Sequence, residues 1–258
     1  MKEMAQEIQT KRDVLSAQGM SVVKGNALIQ KTHYSLSLME QKAILYIISK
    51  IKPNDSADTE YIFNIRDFCK ACNFYEKSGF YYNYVRELME NLGNHKLTLE
   101  LEEGKTLITH WFSGALIDRN AGEVRLHIDS YIKPYLFELH TFYTNYKLEY
   151  VLPMKSKYGV RLYEFLRSYK SKGFRQRWSV EEIRLRIDCD KYPNFKDFRV
   201  NVLEPAIEDI NTFTDIQVKY SAVKTGRKIT DIEFIILGGN DADLERYYAR
   251  RKELGDVR

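Results

Sequence analysis

The sequence predicts an α+β protein made of two tandem winged helix-turn-helix domains, the second a pseudo-duplication of the first. Three observations carry this. At 258 residues and 44% hydrophobic content the chain is long enough for two ordinary cores. The order helix, short helix, longer helix, hairpin can be read twice along it. The stretch Val151-Leu-Pro-Met separates the two readings, giving domains at 1–150 and 151–258 with a division near residues 152–155 and an apolar face for each half.

In the first half, the segment from Leu36 to Ile51 places apolar residues at Ala43, Ile44, Ile47, Ile48 and Ile51, a helical period that should bury one broad face. A turn follows at Pro53-Asn54-Asp55. FNIRDFCKAC (63–72) reads as a short helix and SGFYYNYVRELMENLGNHK (78–96) as a longer one, stopping at Gly93. From Lys96 to Asp129 apolar and polar residues alternate, with turns at Glu103-Gly104 and Asn120-Ala121-Gly122, so a strand meander is expected.

The second half repeats the order. SKYGVRLYEFLRSYK (156–170) is an amphipathic helix, and WSVEEIRLRI (178–187) is a short one whose Ser179 and Glu182 fit a capping box. NFKDFRVNVLEPAIEDIN (194–211) is the third helix, and the segment 215–237 is a hairpin turning at Thr225-Gly226. Ile65-Arg66 precedes Leu97 by almost the same spacing as Ile183-Arg184 precedes Ile216, which equates the hairpin that opens at Leu97 with the one that opens at Ile216.

A net charge of +4 decides little by itself, but its distribution is uneven. From Lys155 to Arg186 there are ten Lys or Arg against three Glu, interleaved with Tyr158, Tyr163, Tyr169, Phe174 and Trp178. That combination is expected of a surface for a polyanion; a solvated helical face is the plainer alternative. Cys69 and Cys72 form a single C-x-x-C with no second pair and no His at ligand spacing, so reduced thiols are expected rather than a metal or redox site. His33, His95, His110, His127 and His140 are scattered. No phosphate-binding glycine loop is present, so neither cofactor nor metal is expected. There is no apolar run of about eighteen residues, and the first nineteen residues are too charged for a signal peptide, so a cytoplasmic protein without a membrane segment is expected.

In a winged helix the third helix enters the major groove by its N-terminal half. Spacing at 100° per residue puts Phe195, Phe198, Val202, Leu203, Ala206 and Ile210 on the core side of 194–211. Asp197, Val200, Asn201 and Glu204 point away, with Lys196 and Arg199 on the flanks. Asn201 can pair bidentately with adenine and Val200 can meet a thymine methyl. Asp197 either completes a cap with Asn194 or accepts from cytosine, capping being the simpler. Pro205 should kink the helix, and Glu204, Glu208 and Asp209 should sit away from phosphates. Lys224, Gly226, Arg227 and Lys228 mark a wing tip suited to phosphate or minor groove. In the first half, Asn83 and Arg86 face outward, while Tyr81, Val85, Leu88 and Leu92 face in.

SYIKPYLFEL (130–139), FYTNYKLEYVLPMKSKYGVRLYEFLRSYK (142–170), FKDFRVNVLEPAIEDIN and KTGRKITDIEFII together resemble the replication initiators of iteron-containing, theta-replicating plasmids, as does the opening VVKGNALIQKTHYSLSLMEQKAILYIISKI. The resemblance runs from about Val22 to Leu237. It implies a non-enzymatic protein that binds direct repeats of double-stranded origin DNA, opens adjacent AT-rich DNA, and recruits the host replication initiator and replicative helicase. It further implies dimers that repress the protein's own promoter at an inverted-repeat operator, in equilibrium with monomers that initiate replication. By position it makes Ser156, Lys157, Lys196, Arg199, Asn201, Lys224, Arg227 and Lys228 the DNA candidates of the second domain. The first domain is implied to combine backbone contacts with dimerisation, for which the meander and an exposed Trp111 are the expected surface. The tyrosine-rich FYYNYVREL departs from the more basic first-domain helices of relatives. Two rival functions remain: an ordinary winged-helix transcription regulator, and a rolling-circle nicking enzyme, which would need a His-x-His metal motif that the sequence lacks.

Overall fold

The structure is a computed structural model that describes residues 19–238 except 53, 54, 57, 73, 75–80, 138 and 170–174. The expectations for residues 1–18 and 239–258, and for the start of the 78–96 helix, fall outside the described residues. The chain divides into two compact units between Pro153 and Met154.

The first unit opens on strand β1 (Ser21–Gly25), helix α1 (Asn26–Gln30) and a two-residue strand β2 (Thr32–His33). Helix α2 (Leu38–Ile48) starts at Ser37, whose hydroxyl accepts from Glu40 N while the Glu40 carboxylate accepts from Ser37 N, a reciprocal cap. The expectation of one buried face is exceeded here. Every residue from Glu40 to Ile48 is buried, so α2 is a central helix and not an amphipathic one. Strand β3 (Tyr61–Asn64) runs directly into helix α3 (Ile65–Ala71), with the Asn64 side chain accepting from Arg66 N and Asp67 N. Phe63 and Asn64, expected in the helix, therefore belong to strand and cap. Helix α4 (Tyr81–Asn94) buries Val85, Leu88, Met89 and Leu92.

The meander is two sheets, not one. Strands β4 (Leu97–Glu100) and β5 (Thr106–Thr109) pair with β2 in the order β2-β4-β5. Strands β6 (Phe112–Asp118) and β7 (Glu123–Ile128) pair with β3 in the order β3-β7-β6. Between them Trp111 is 2% exposed and meets the Tyr34 ring edge-on at 5.0 Å, which overturns the expectation of an exposed Trp111. Strand β8 (Tyr143–Lys147) closes the unit by pairing antiparallel with β1 across a long stretch of sequence.

The second unit contains helix α5 (Lys157–Tyr169), strand β9 (Arg175–Ser179) and helix α6 (Val180–Arg186). Only half of the expected capping box forms. The Ser179 hydroxyl accepts from Glu182 N, but the Glu182 carboxylate turns toward Arg186, 3.9 Å away. Helix α6 ends with Asp188 at φ 57°, Asp188 N donating to Leu185 O and Cys189 N to Arg184 O. That is a glycine-type stop made with Asp, a residue that tolerates the left-handed region.

The third helix, α7, is continuous but not uniform: Phe195–Phe198 is α-helical, Arg199–Leu203 is a π turn, and Glu204–Phe213 is α-helical again. Pro205 brings no N–H, and the wider turn just before it, with Glu204 N bonded to Arg199 O, accommodates the ring where a kink was expected. The extra residue in that turn keeps Phe198, Val202, Leu203, Ala206 and Ile210 all on the buried side, as expected; Phe195 is only half-buried. Strands β10 (Ile216–Thr225) and β11 (Lys228–Gly238) form the hairpin, with a register shift between Val223 and Lys224 and Gly226 at φ 62° in the turn.

Both units thus contain the same winged-helix sheet: the strand leading into the short helix pairs with the return strand of a hairpin, β3-β7-β6 in one and β9-β11-β10 in the other. The pseudo-duplication holds, but its hairpin partner is β6–β7. The spacing that matched Leu97 to Ile216 is a coincidence, because β4–β5 lies in a different sheet.

Candidate nucleic-acid interface

The exposed side of α7 carries Lys196, Asp197, Arg199, Val200 and Asn201, as the spacing required, and Val200 keeps 47% of its surface open. At the front, Asn194 is the cap. Its Oδ1 accepts from Asp197 N at 2.8 Å and its amide donates to Asp197 Oδ2 at 2.6 Å, so Asp197 is the capping partner rather than a free acceptor for cytosine. The Asn201 amide donates one hydrogen to Asp197 O at 2.9 Å. This leaves its second N–H and Oδ1 facing solvent, the pair that adenine N7 and N6 require. Arg199 Nε lies 3.5 Å from Glu204, which also accepts from Tyr220 OH on β10.

Beside α7 the start of α5 forms the second wall of a cleft of about 500 Å³, whose lining includes Lys155, Ser156, Lys157, Asn201, Glu208 and Asp209. Three of the expected DNA residues, Ser156, Lys157 and Asn201, are therefore brought together. Lys157 sits 3.8 Å from Asp188. The acids do not segregate as expected. Glu208 lines the same cleft, and Asp209 is buried, accepting from Lys155 N at 2.8 Å and Ser156 N at 2.7 Å through one carboxylate oxygen. Lys224, Arg227 and Lys228 are exposed around the hairpin tip, with Lys228 4.0 Å from Glu181 on α6.

The dense basic stretch from Lys155 to Arg186 is mostly structural. Arg161 is buried and donates to Arg186 O. Arg167 pairs with buried Asp215 at 3.1 Å, and Arg175 and Arg177 pair across the sheet with Glu233 and Asp231. Arg184 donates to Lys191 O and Tyr192 O and lies 4.3 Å over the Phe198 ring. It thereby pins the loop between α6 and α7, where Tyr192 holds φ 59°. Of the interleaved aromatics, Trp178 packs against Phe165, Tyr169 and Phe234 and Tyr163 is fully buried, whereas half-buried Tyr158 lines the cleft beside Lys157. Counting charge along the chain cannot distinguish such partners from a polyanion surface; Lys170, Lys172 and Phe174 lie outside the described residues.

In the first unit Asn83 and Arg86 are exposed on α4, Arg86 lying 3.7 Å from Glu90. Two further cations escaped the sequence reading. Arg66 and Arg119 line a cleft of about 620 Å³ with Tyr81 and Tyr82, and the Arg119 guanidinium stands 5.5 Å over the Tyr82 ring. Arg119 is at the tip of the β6–β7 hairpin, where Asp118 accepts from Asn120 N and Ala121 N, bonds that hold its carboxyl below the usual carboxylate range. Recognising β6–β7 as the wing would have singled out Arg119.

Cys69, Cys72 and Cys189 are free and buried, and burial pushes the Cys69 thiol up to about 12, so none is a reactive thiolate near neutral pH. Among the described residues no His, Cys, Asp and Glu cluster could hold a metal ion, and no helix is long and apolar enough to cross a membrane.

The repeated three-stranded sheet with its capped short helix and exposed third helix defines a tandem winged-helix protein. Residues 21–167 match the family model described as initiator replication protein, WH1, and residues 179–236 match that of initiator Rep protein, WH2. The chain belongs to this initiator family: it is a replication initiator, not an enzyme, as the sequence resemblance implied. It is 25% identical over 237 residues to a replication initiation protein of Escherichia coli, covering 86% of this chain and 71% of that one. Its fold matches the crystal structure of the Pi initiator protein in complex with iteron DNA with a TM-score of 0.70 at 20% identity, covering 86% of this chain and 98% of that one.

Proposed function

We propose that the protein is a plasmid replication initiator of the cytoplasm that binds direct-repeat double-stranded DNA at its origin. The observation that carries this is the convergence of Ser156, Lys157 and Asn201 on one cleft beside the exposed face of α7. In this reading the front of α7 lies in the major groove. Asn201 and Val200 meet base edges, Lys196 and Arg199 reach base or backbone from the flanks, and Ser156, Lys157, Lys224, Arg227 and Lys228 meet phosphates. The Pi initiator, whose fold it shares, binds iteron DNA. The first unit adds phosphate contacts through Asn83, Arg86 and the Arg66–Arg119 cleft. The reading extends to opening of adjacent DNA and recruitment of the host initiator and helicase, the activities that the sequence resemblance implies. A plasmid carrying only the cognate origin should be maintained when this protein is supplied in trans; failure to maintain it, with operator binding intact, would favour the transcription-regulator reading. The contacts proposed here are made by side chains and backbone amides on DNA, so affinity for the repeats should be unchanged in EDTA without ATP, and binding that disappears on chelation would sink the reading.

The same proposal includes a dimer that represses its own promoter, with the first unit supplying the surface. Strand β6 is an edge of its sheet, and the row Leu116, Arg125, Ile62 crosses the outer face with Leu116 60% and Ile62 48% exposed. An edge that no strand among the described residues pairs, with apolar side chains beside it, suits a second copy. Sedimentation of the full chain should show concentration-dependent dimers, and Leu116→Glu should shift it to monomer. Monomer at all concentrations for the unaltered chain would count against the surface.

A further inference from the structure

Asp209 sits in the part of α7 that faces α5, one turn beyond Pro205, and is one of the few buried carboxylates of the second unit. Its Oδ2 accepts from both Lys155 N and Ser156 N. Gly159, on the first turn of α5, packs so closely that an added Cβ would stand 3.2 Å from Asp209 Oδ2 and 3.5 Å from Ala206 Cα. The Ser156 hydroxyl in turn accepts from Gly159 N at 3.2 Å. Two backbone bonds and one close approach therefore lock the start of α5 onto α7, and residues 155–157 cannot shift without breaking them.

We infer that Asp209 is a positioning residue for DNA contact: through the Lys155 and Ser156 amides it holds Ser156 and Lys157 at a fixed distance from Asn201, so that phosphate contact and base contact occur in one register. This rests on the function proposed above. Two backbone N–H bonds and the positive end of α5 offset its negative charge, which lowers the repulsion that a carboxylate beside a polyanion site exerts. A short acid rising from a helix packed this closely reaches both amides with one oxygen.

The test is the salt dependence of binding of the full chain to a short mixed-sequence duplex, compared among unaltered protein, Lys157→Ala, Asp209→Ala and Asp209→Asn. Each phosphate contact contributes about 0.9 to the slope of log affinity against log salt. Lys157→Ala should lower the slope by about one unit. Asp209→Ala should lower it by as much although it removes no cation, and adding it to Lys157→Ala should cost no further slope. Asp209→Asn keeps an oxygen for the two amides and should restore most of the slope. A merely structural role would lower the melting temperature and leave the slope of the folded protein untouched, which would overturn the inference. If Asp209→Ala fails to fold, Gly159→Ala, which wedges the same junction, should reproduce the lost slope, and a full slope there would equally overturn it. An unaltered slope for Lys157→Ala would instead refute the proposed DNA face.

Discussion

Asp215→Ala should destabilise the second unit by about 3–5 kcal/mol, the range for removing one partner of a buried ion pair. Asp215 follows α7 directly and is buried, yet it serves two partners on α5 at once: Tyr163 OH donates to Oδ1 at 2.9 Å and Arg167 Nη2 lies 3.1 Å from Oδ2. Tyr163 is fully buried and the Arg167 side chain is only 17% exposed. Truncation takes the carboxylate away from both groups in a site that water reaches poorly, which removes the ion pair and the hydrogen bond that offset part of their desolvation. Tyr163→Phe removes the bond to Oδ1 and leaves the ion pair, so a cost of about 1 kcal/mol is expected. Chemical denaturation followed by circular dichroism, on variants whose denaturant dependence matches the parent, checks both. A loss below that of Tyr163→Phe would mean the network does not hold α5 against the end of α7.

The parts of this fold that were legible in the sequence are those whose signal is local. The buried side of α7 follows from helical spacing, and across the π turn at Arg199–Leu203 the adjacent apolar residues Val202 and Leu203 are both buried, so the wider turn exposes neither. The Asn194–Asp197 cap and the Thr225-Gly226 turn are likewise read from adjacent residues. What was not legible depends on partners distant in the chain. Strand β4 (LTLE) joins β2 and strand β6 (FSGALID) completes the winged-helix sheet, and neither short sequence names its distant partner. The pairing of β1 with β8 is similarly non-local. Arg167 and Arg177 look identical to DNA-facing cations until Asp215 and Asp231 are placed beside them. Asp209 reads as one more acid in a solvated half-helix because its ligands are backbone amides, which carry no sequence signature. The exposure of the candidate residues was therefore legible from helical spacing, and charge was misjudged where it is spent on internal partners.

That distinction decides what substitutions on the exposed face should do. Asn201→Ala should cost about 1–3 kcal/mol on the cognate repeat, the worth of a bidentate base contact, and leave affinity for scrambled DNA nearly unchanged. Among the described residues its side chain makes the exposed bond to Asp197 O, in the middle of a helix already capped by Asn194, so the fold has little to lose. Lys228 stands at the wing with a distant exposed partner in Glu181, 4.0 Å away, and carries charge but no planar amide. Lys228→Ala should therefore weaken cognate and scrambled duplexes by similar factors and lower the slope of log affinity against log salt by about one unit. Measuring both variants on both duplexes over a range of salt separates reading from holding. Equal losses on the two DNAs for Asn201→Ala, with the circular dichroism of the parent retained, would mean that α7 meets the groove in a register other than the one its exposed face defines.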